Sequence, residues 1–330
     1  VSPATRGDII LGKTIPYFAL AVAITTVIAL AVGGGLLSVT AVTPIVALFL
    51  ASTFLGGMLA RSYKELTFVT VTISVTLTGY AFIPAVLTDV HPIAAISPLT
   101  IVVQDIRANP VGWGQFVFAT LPVTLASVVL YRLGTGLYRE EDMFTQRPLP
   151  QKVLDALAAP LDTRWRVGLW TMLFLPFVLV AELFAVSILY VLPGSVSIPL
   201  MLGSVAVVEE LAKSIHVFAG FERGRFPRSI RSGVMLGAIS GIGFFFGEKL
   251  LLITQLVGLP DLDVGRVAFA PAVLGVSPVI LLFAPLILHT VTATIGSIGA
   301  SRSKRAYVGA LLLAAGIHLG YNLQVVSTLA

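Results

Sequence analysis

The sequence predicts an all-α, polytopic membrane protein, a transmembrane helix bundle of about nine spans. Apolar residues make up 57% of its 330 residues, and charged residues only 11%. The mean hydropathy of +0.98 is far above what the core of a soluble domain requires. The apolar residues also gather in stretches of about 17 to 25, which is long enough for a helix to cross the hydrocarbon layer.

The predicted spans are separated by polar or proline-containing connections. Their bounds are 15–37, 43–60, 66–88, 115–131, 166–192, 197–220, 232–257, 278–300 and 306–328. Lysines and arginines fall almost entirely in alternate connections, since only Arg107 and Arg266 lie on the opposite side, while Lys213 and Lys249 lie inside spans. Because cytoplasmic loops are enriched in these residues, the sequence predicts a multi-pass protein of the plasma membrane with a cytoplasmic N-terminus and an external C-terminus.

The net charge of +5 does not indicate a nucleic-acid-binding protein. The positive residues lie in separate loops that flank the membrane, whereas nucleic-acid binding needs them on one exposed face. The chain has no cysteine, which excludes a thiolate metal site and a disulfide framework. Any metal would therefore be bound by histidine and carboxylate side chains.

Two segments interrupt the helical pattern. Residues 89–114 are too apolar for an ordinary loop but contain three prolines, and we expect a re-entrant or interfacial segment there. Residues 133–164 combine charges and prolines with an amphipathic pattern and are predicted to contain the domain boundary. The predicted organisation is a four-span membrane region at 1–145, an amphipathic cytoplasmic linker at 146–164 and a five-span domain at 165–330.

The polar residues inside the first four spans are mainly serine and threonine, which indicates helix packing. The external segment HPIAAISPLTIVV, and a last span that runs into the basic tail LYRLGTGLYREEDMF, resemble the C-terminal portion of an ABC exporter permease. This resemblance implies an ABC transporter ATPase subunit as a partner. Such permeases usually have six spans, so we expect that two further spans precede Val1, which is not a methionine.

Ionisable residues inside spans are concentrated in the second half of the chain. The sixth span, PLMLGSVAVVEELAKSIHVFAG, contains Glu209, Glu210 and Lys213. Each charge costs about 2.5 to 3.5 kcal/mol on insertion, so a cluster of them indicates a functional site. Lys213 lies three or four residues from each carboxylate and can neutralise one of them, while the two carboxylates point about 100° apart and can serve different partners.

The last three predicted spans add further polar residues. They are Glu248 in FFFGE, His289 in PLILHTV, and His318 with Asn322 in GIHLGYN. At about 1.5 Å per residue from the cytoplasmic ends, Glu209, His289 and His318 all lie roughly 16 to 18 Å deep, whereas Glu248 comes out near 24 Å. Three of these residues are therefore predicted to share one level of the membrane, and Glu248 joins them only if its helix begins later, tilts or projects into the cytoplasm.

Other residues of the second half are given structural roles. The glycines at 237, 241, 243 and 247 are expected to allow close approach of a neighbouring helix. His216 lies near the cytoplasmic end of its span and is expected to be structural or interfacial. His91, in an external loop, belongs to no motif.

These motifs, EELAK, then FFFGE, then His289, then His318 with Asn322, together resemble the PrsW family, which belongs to the superfamily of the type II CAAX prenyl endopeptidases. The prenyl endopeptidase branch has Arg and His where this chain has Lys213 and Glu248, and this difference favours PrsW. The resemblance covers about residues 165–330. It implies a membrane-embedded endopeptidase, usually described as metal dependent, that acts on membrane protein or peptide substrates in the lipid bilayer.

Chemistry agrees with a metal site of this kind. Two histidines and one carboxylate leave a fourth position open on zinc, as in zinc hydrolases that activate water. The predicted ligands of a Zn²⁺ ion are Glu248, His289 and His318. Glu209 or Glu210 is predicted to act as the general base, Asn322 to hold the oxyanion or orient His318, and Lys213 to keep its glutamate ionised.

Three alternatives stay open at the level of the sequence. In a metal-free protease, a glutamate and a histidine would activate water directly, and the His318–Asn322 pair would form the oxyanion hole. A transporter or permease component would use the same residues as an intramembrane polar relay, but it predicts paired broken helices and repeat symmetry, which the sequence does not show. In an inactive scaffold, the cluster would only fix the register of the helices.

Overall fold

The computed structural model describes residues 5–88, 92–138, 147–189, 192–258 and 278–329. The described residues form helices and contain no strand. Nine helical segments among them are long and apolar enough to cross a membrane. The prediction of an all-α, multi-pass membrane protein is confirmed.

The described helices divide into two compact units. Residues 252–258 belong to the first unit, and otherwise the chain passes from the first unit to the second between Ala156 and Leu157. The helices up to that point are α1 (Arg6–Ala31), α2 (Leu36–Leu59), α3 (Tyr63–Val86), α4 (Pro98–Ile106), α5 (Trp113–Leu137) and α6 (Leu149–Ala158). Those that follow are α7 (Arg164–Leu173), α8 (Leu175–Leu189), α9 (Gly194–Glu222), α10 (Ile230–Gly258), α11 (Pro278–Arg302) and α12 (Lys304–Leu329). The predicted boundaries at 145 and 165 stay predictions.

The connection between α1 and α2 comes earlier than predicted. The first span was expected to continue to residue 37, but α1 ends at Ala31 and a glycine turn leads into α2. Gly33 has a φ of +85°, and the Gly34 N–H donates to the Ala29 carbonyl at 2.7 Å. Because glycine has no Cβ, it adopts this left-handed conformation and caps the helix, which an apolarity count does not detect.

The fifth predicted span, 166–192, is divided between α7 and α8. Phe174 separates the two helices, two residues before Pro176. Proline has no backbone N–H, and its ring collides with the carbonyl group of the residue four positions earlier, so a straight helix cannot pass through it unchanged.

The proline-broken segment at 89–114 contains no tenth span in its described part. A 3₁₀ turn at Pro92–Ile96 precedes α4, whose nine residues extend about 14 Å, too short to cross a bilayer. Ile101 of α4 is fully buried and packs with Ala41 of α2 and Ala119 of α5. Its position relative to the membrane stays a prediction.

In the second unit, α9 is the central helix and packs against α8, α11 and α12. Glycines bring α10 into backbone contact with α11, as expected. A Cβ atom placed on Gly237 would lie 2.5 Å from the Thr294 Cα atom, and one on Gly241 would lie 2.4 Å from the His289 carbonyl oxygen. Because no side chain fits between the two backbones, this contact fixes the position of His289 relative to α10.

The substitution Gly241→Ala is expected to destabilise the second unit by about 1 to 3 kcal/mol, because the added methyl group overpacks the contact with α11. Gly309→Ala in α12 is the matched control, since a Cβ atom there meets no atom of the described residues within 4 Å. The measurement is the melting temperature of the purified protein in detergent. Equal melting temperatures for Gly241→Ala and Gly309→Ala would contradict this packing.

Candidate active site

Lys213 and two glutamates form a buried ionic cluster on α9. The Lys213 Nζ atom lies 2.6 Å from Glu210 Oε1 and 3.9 Å from Glu209 Oε2. Both Lys213 and Glu210 are buried, with side chains 0% and 1% exposed, whereas the Glu209 side chain is 14% exposed. These two charges are stabilised mainly by each other, because little water reaches them.

His318 on α12 is oriented by Glu210. Its Nδ1 atom lies 2.8 Å from Glu210 Oε1, and a carboxylate can only accept, so Nδ1 carries the proton and donates. The unprotonated Nε2 atom then lies on the other side of the ring, 3.7 Å from Glu209 Oε2. The ion pair on α9 thus sets both the position and the tautomer of this histidine.

His289 on α11 is oriented by a second carboxylate. Its Nε2 atom lies 3.0 Å from Glu248 Oε2, and its Nδ1 atom lies 2.9 Å from Lys213 Nζ. A lysine ammonium group only donates, so Nδ1 accepts and Nε2–H donates to Glu248. The lone pair of Nδ1 is on the side of Glu209, whose Oε2 is 3.9 Å away.

The depth calculated from the rise per residue put Glu248 deeper in the membrane than His289. The direction of the two side chains explains why they nevertheless meet. Gly237 of α10 meets Thr294 and Gly241 meets His289, so the two helices run antiparallel. Cα–Cβ bonds tilt towards the N-terminus of each helix, which makes the side chains of antiparallel helices lean towards each other. Glu248 and His289 therefore meet although their Cα atoms differ in depth.

Glu209, His289 and His318 form the group best placed to hold a metal ion among the described residues. One ligand atom from each lies within 4.8 Å of the other two. Ligands about 2.0 to 2.1 Å from a tetrahedral zinc ion are separated by roughly 3.4 Å, so the observed 3.7 and 3.9 Å need only a small contraction. Glu209 Oε2 is also buried and has no hydrogen-bond partner among the described residues. The donor set therefore fits a divalent cation.

Glu182 on α8 belongs to the cluster and was missed in the sequence. Its carboxyl group lies close enough to the carboxyl groups of Glu209 and Glu248 to interact with both. The cluster thus contains four carboxyl groups, with Lys213 and Lys249 as its lysines. The signal was available, since an acidic residue inside the predicted span 166–192 is as unusual as those that follow it.

Among the described residues, His216 and Asn322 make no hydrogen bond to this arrangement. His216 is fully buried in a separate network, with Nε2 3.0 Å from Thr171 Oγ1, which itself lies 2.8 Å from Ser240 Oγ. Asn322 is half-buried one turn beyond His318 and makes no hydrogen bond in the described part of the cluster. His91 lies outside the described residues.

Aromatic and aliphatic side chains cover the inner side of the cluster. The Phe244 ring lies 4.8 Å from the His289 ring and 4.6 Å from Lys213 Nζ, which it contacts as a cation–π partner. Phe244 is buried together with Leu175 and Val178. The Glu248 side chain is 37% exposed, against 14% for Glu209 and 1% for Glu210, so among these three carboxylates the described part of the cluster is most open at Glu248. Charges in such a dry site interact more strongly than in water.

Comparison with known proteins agrees with the resemblance seen in the sequence. Residues 159–330 match the family model of the PrsW family intramembrane metalloproteases, a match that includes every residue of the cluster. No curated protein and no solved structure matches the chain.

Proposed function

We propose that this chain, which belongs to the PrsW family of intramembrane metalloproteases, cleaves a peptide bond of a membrane-associated protein substrate at the cluster of Glu209, His289 and His318. The observation that carries the proposal is that two histidines from different helices direct unprotonated ring nitrogens at the same buried carboxylate oxygen. A packing role needs no such convergence, whereas metal binding does.

The ligands that this geometry supports are Glu209, His289 and His318, rather than the predicted set with Glu248 in place of Glu209. Glu210 and Glu248 then orient the histidines, because each accepts a hydrogen bond from the ring nitrogen that faces away from Glu209. Carboxylates in this position fix the tautomer of metal-binding histidines and raise their basicity. The assignment of Glu248 as a ligand stays a prediction and is distinguished by the substitutions below.

The net charge of the cluster favours the binding of a divalent cation. Among the described residues, Lys213 and Lys249 balance two of the four carboxyl groups of the cluster, so ionisation of all four would leave two negative charges in a largely buried site. A divalent ion, with Zn²⁺ as the best match to two imidazoles and one carboxylate, supplies that charge. When bound, it would also supply Lewis acidity and an activated water.

Other side chains of the cluster orient the histidines, exclude water and transfer the proton. Glu210 and Glu248 hold the imidazoles, and Phe244 excludes water from one side of His289. Glu182 is neither a proposed ligand nor hydrogen-bonded to a histidine among the described residues, so we assign it to accept a proton from water and return it to the leaving amine. The sequence-based assignment of Glu209 or Glu210 as the base, and of Asn322 to the oxyanion, stays a prediction.

A metal-free protease is favoured by one observation. Both ring nitrogens of His289 already have partners, since Nδ1 accepts from Lys213 and Nε2 donates to Glu248. In that mechanism Glu209 and His318 would activate water directly. Metal content measured alongside cleavage separates the two mechanisms.

The test of the function is the appearance of new N-termini in membrane proteins. Cells that express the full chain are compared with cells that express His318→Ala, and the N-termini of their membrane fractions are labelled and sequenced. We expect new N-termini within or beside membrane segments only in the cells that express the unmodified chain. Identical sets of N-termini would overturn it.

We further propose the orientation that the loop charges predict, with the 133–164 segment and the 221–231 loop in the cytoplasm. The chain has no cysteine, so single cysteines can be introduced at exposed positions without changing any charge. Pro193→Cys, before α9, is expected to react with an impermeant maleimide added to intact cells, and Pro227→Cys, after α9, is expected to react only after lysis. The reverse pattern would contradict the orientation.

The resemblance of residues 1–145 to an ABC exporter permease, with an ATPase subunit as a partner, stays a prediction. The amphipathic linker is described only in part. In it, α6 is anchored to the first unit because Lys152 Nζ donates to the Met58 carbonyl at the end of α2 at 3.0 Å. A lysine at this position stabilises the negative end of the α2 dipole.

A further inference from the structure

Lys213 presents a cation to the same lone pair that a metal ion would use. Its Nζ atom lies 2.9 Å from His289 Nδ1, the nitrogen directed at Glu209. The same Nζ atom lies 2.6 Å from Glu210 Oε1 and 3.9 Å from Glu209 Oε2. The ammonium group therefore binds one proposed ligand directly and stands beside another.

An ammonium group and a divalent ion cannot both bind the one lone pair of Nδ1. Two cations a few ångströms apart in a site of low dielectric also repel each other by several kcal/mol. The lysine side chain is flexible, and Glu210 holds its ammonium group more closely than His289 does. It can thus leave His289 and keep its ion pair with Glu210.

We propose that Lys213 is a positioning residue that acts as a resident cation: it holds His289 and the α9 carboxylates in place without the ion, and gives up His289 Nδ1 when a divalent ion binds. This inference rests on the proposed metal site. It carries two consequences that a merely structural lysine does not. The unmodified chain binds the ion more weakly than the same site without Lys213, and it depends less on the ion for its stability.

The test compares Lys213→Met with Lys249→Met in the full chain purified in detergent. Methionine keeps a side chain of similar length and removes the charge. Lys249 is the matched control because it also lies beside a carboxylate of the cluster, with Nζ 3.5 Å from Glu248 Oε1, but contacts the Phe245 ring instead of His289. Zn²⁺ affinity is measured by competition with a chromophoric chelator, and melting temperatures are measured with and without Zn²⁺.

We expect Lys213→Met to bind Zn²⁺ at least about tenfold more tightly than the unmodified chain, a difference well within the repulsion between neighbouring cations. Lys249→Met is expected to show a smaller increase in Zn²⁺ affinity. Without Zn²⁺ the melting temperature of Lys213→Met falls, and added Zn²⁺ raises it by more than it raises that of the unmodified chain. Equal or weaker Zn²⁺ binding by Lys213→Met would overturn the inference.

Two further outcomes keep this test separate from the test of the proposed function. If the unmodified chain cleaves membrane proteins without binding Zn²⁺ and Lys213→Met binds it, the resident cation is supported and the metal mechanism of the unmodified chain fails. If Lys213→Met does not fold, Lys213→Gln, which keeps a hydrogen-bonding group, takes its place. Failure of both variants to fold in the presence of Zn²⁺ contradicts the inference, because the ion should replace the missing charge.

Discussion

Glu209→Gln is expected to remove the bound divalent ion and to lower peptide cleavage by about 10³-fold or more, because the amide loses the charge and the ligand strength of the carboxylate while it keeps the size. Glu209 Oε2 lies between the two histidines and has no hydrogen-bond partner in the part of the chain that the structure describes, so no other group of the described cluster replaces it. Metal content and cleavage are measured on the same purified samples.

Glu222→Gln is the control for this substitution, since it makes the same chemical change on the same helix, at an exposed pair with Arg228. It should keep both the ion and cleavage. Glu248→Gln tests the predicted ligand set directly. If Glu248 only orients His289, Glu248→Gln should lower metal affinity about 10- to 100-fold. If Glu248→Gln loses the ion and Glu209→Gln keeps it, the set of Glu248, His289 and His318 is correct.

His318→Ala is the second substitution with a large expected effect, and it should also remove the ion and cleavage together. Its Nδ1 is bonded to Glu210 and its Nε2 is directed at Glu209, so it links the ion pair on α9 to the metal site. Losing one of three protein ligands leaves an incomplete coordination shell.

His216→Ala distinguishes this loss from a general effect of removing a buried histidine. His216 is as buried as His318 but binds Thr171 and the Val167 carbonyl group, away from Glu209. We expect this variant to lose stability while the folded protein keeps its ion. If His216→Ala and His318→Ala lose metal and cleavage to the same extent per folded chain, His318 has no specific role.

The number of spans and the meeting of α9, α11 and α12 were predictable from the sequence. Apolar length determines the spans, and a constant rise per residue placed Glu209, His289 and His318 at one depth. Their contacts agree with that depth. Helix ends were less predictable, because the turn at Gly33 depends on a local conformation and the division at Phe174 on a single proline.

The roles of individual carboxylates could not be predicted from spacing. Helical periodicity shows that Glu209 and Glu210 point in different directions, but not which of them faces two histidines on other helices. The role of Glu248 depends on how far its side chain leans towards α11, which follows from the antiparallel glycine contact. Glu182 was overlooked because it stands alone in an apolar span, and only the fold shows that it adjoins Glu209.

The most direct test of a metal-dependent intramembrane peptidase is the metal content of the purified full chain, measured with the cleavage of a synthetic peptide that covers a new N-terminus found in cells. We predict about one divalent ion per chain, loss of cleavage when a chelator removes it, and recovery when Zn²⁺ is returned. Full cleavage by a chain that holds no stoichiometric ion and is indifferent to the chelator would contradict it.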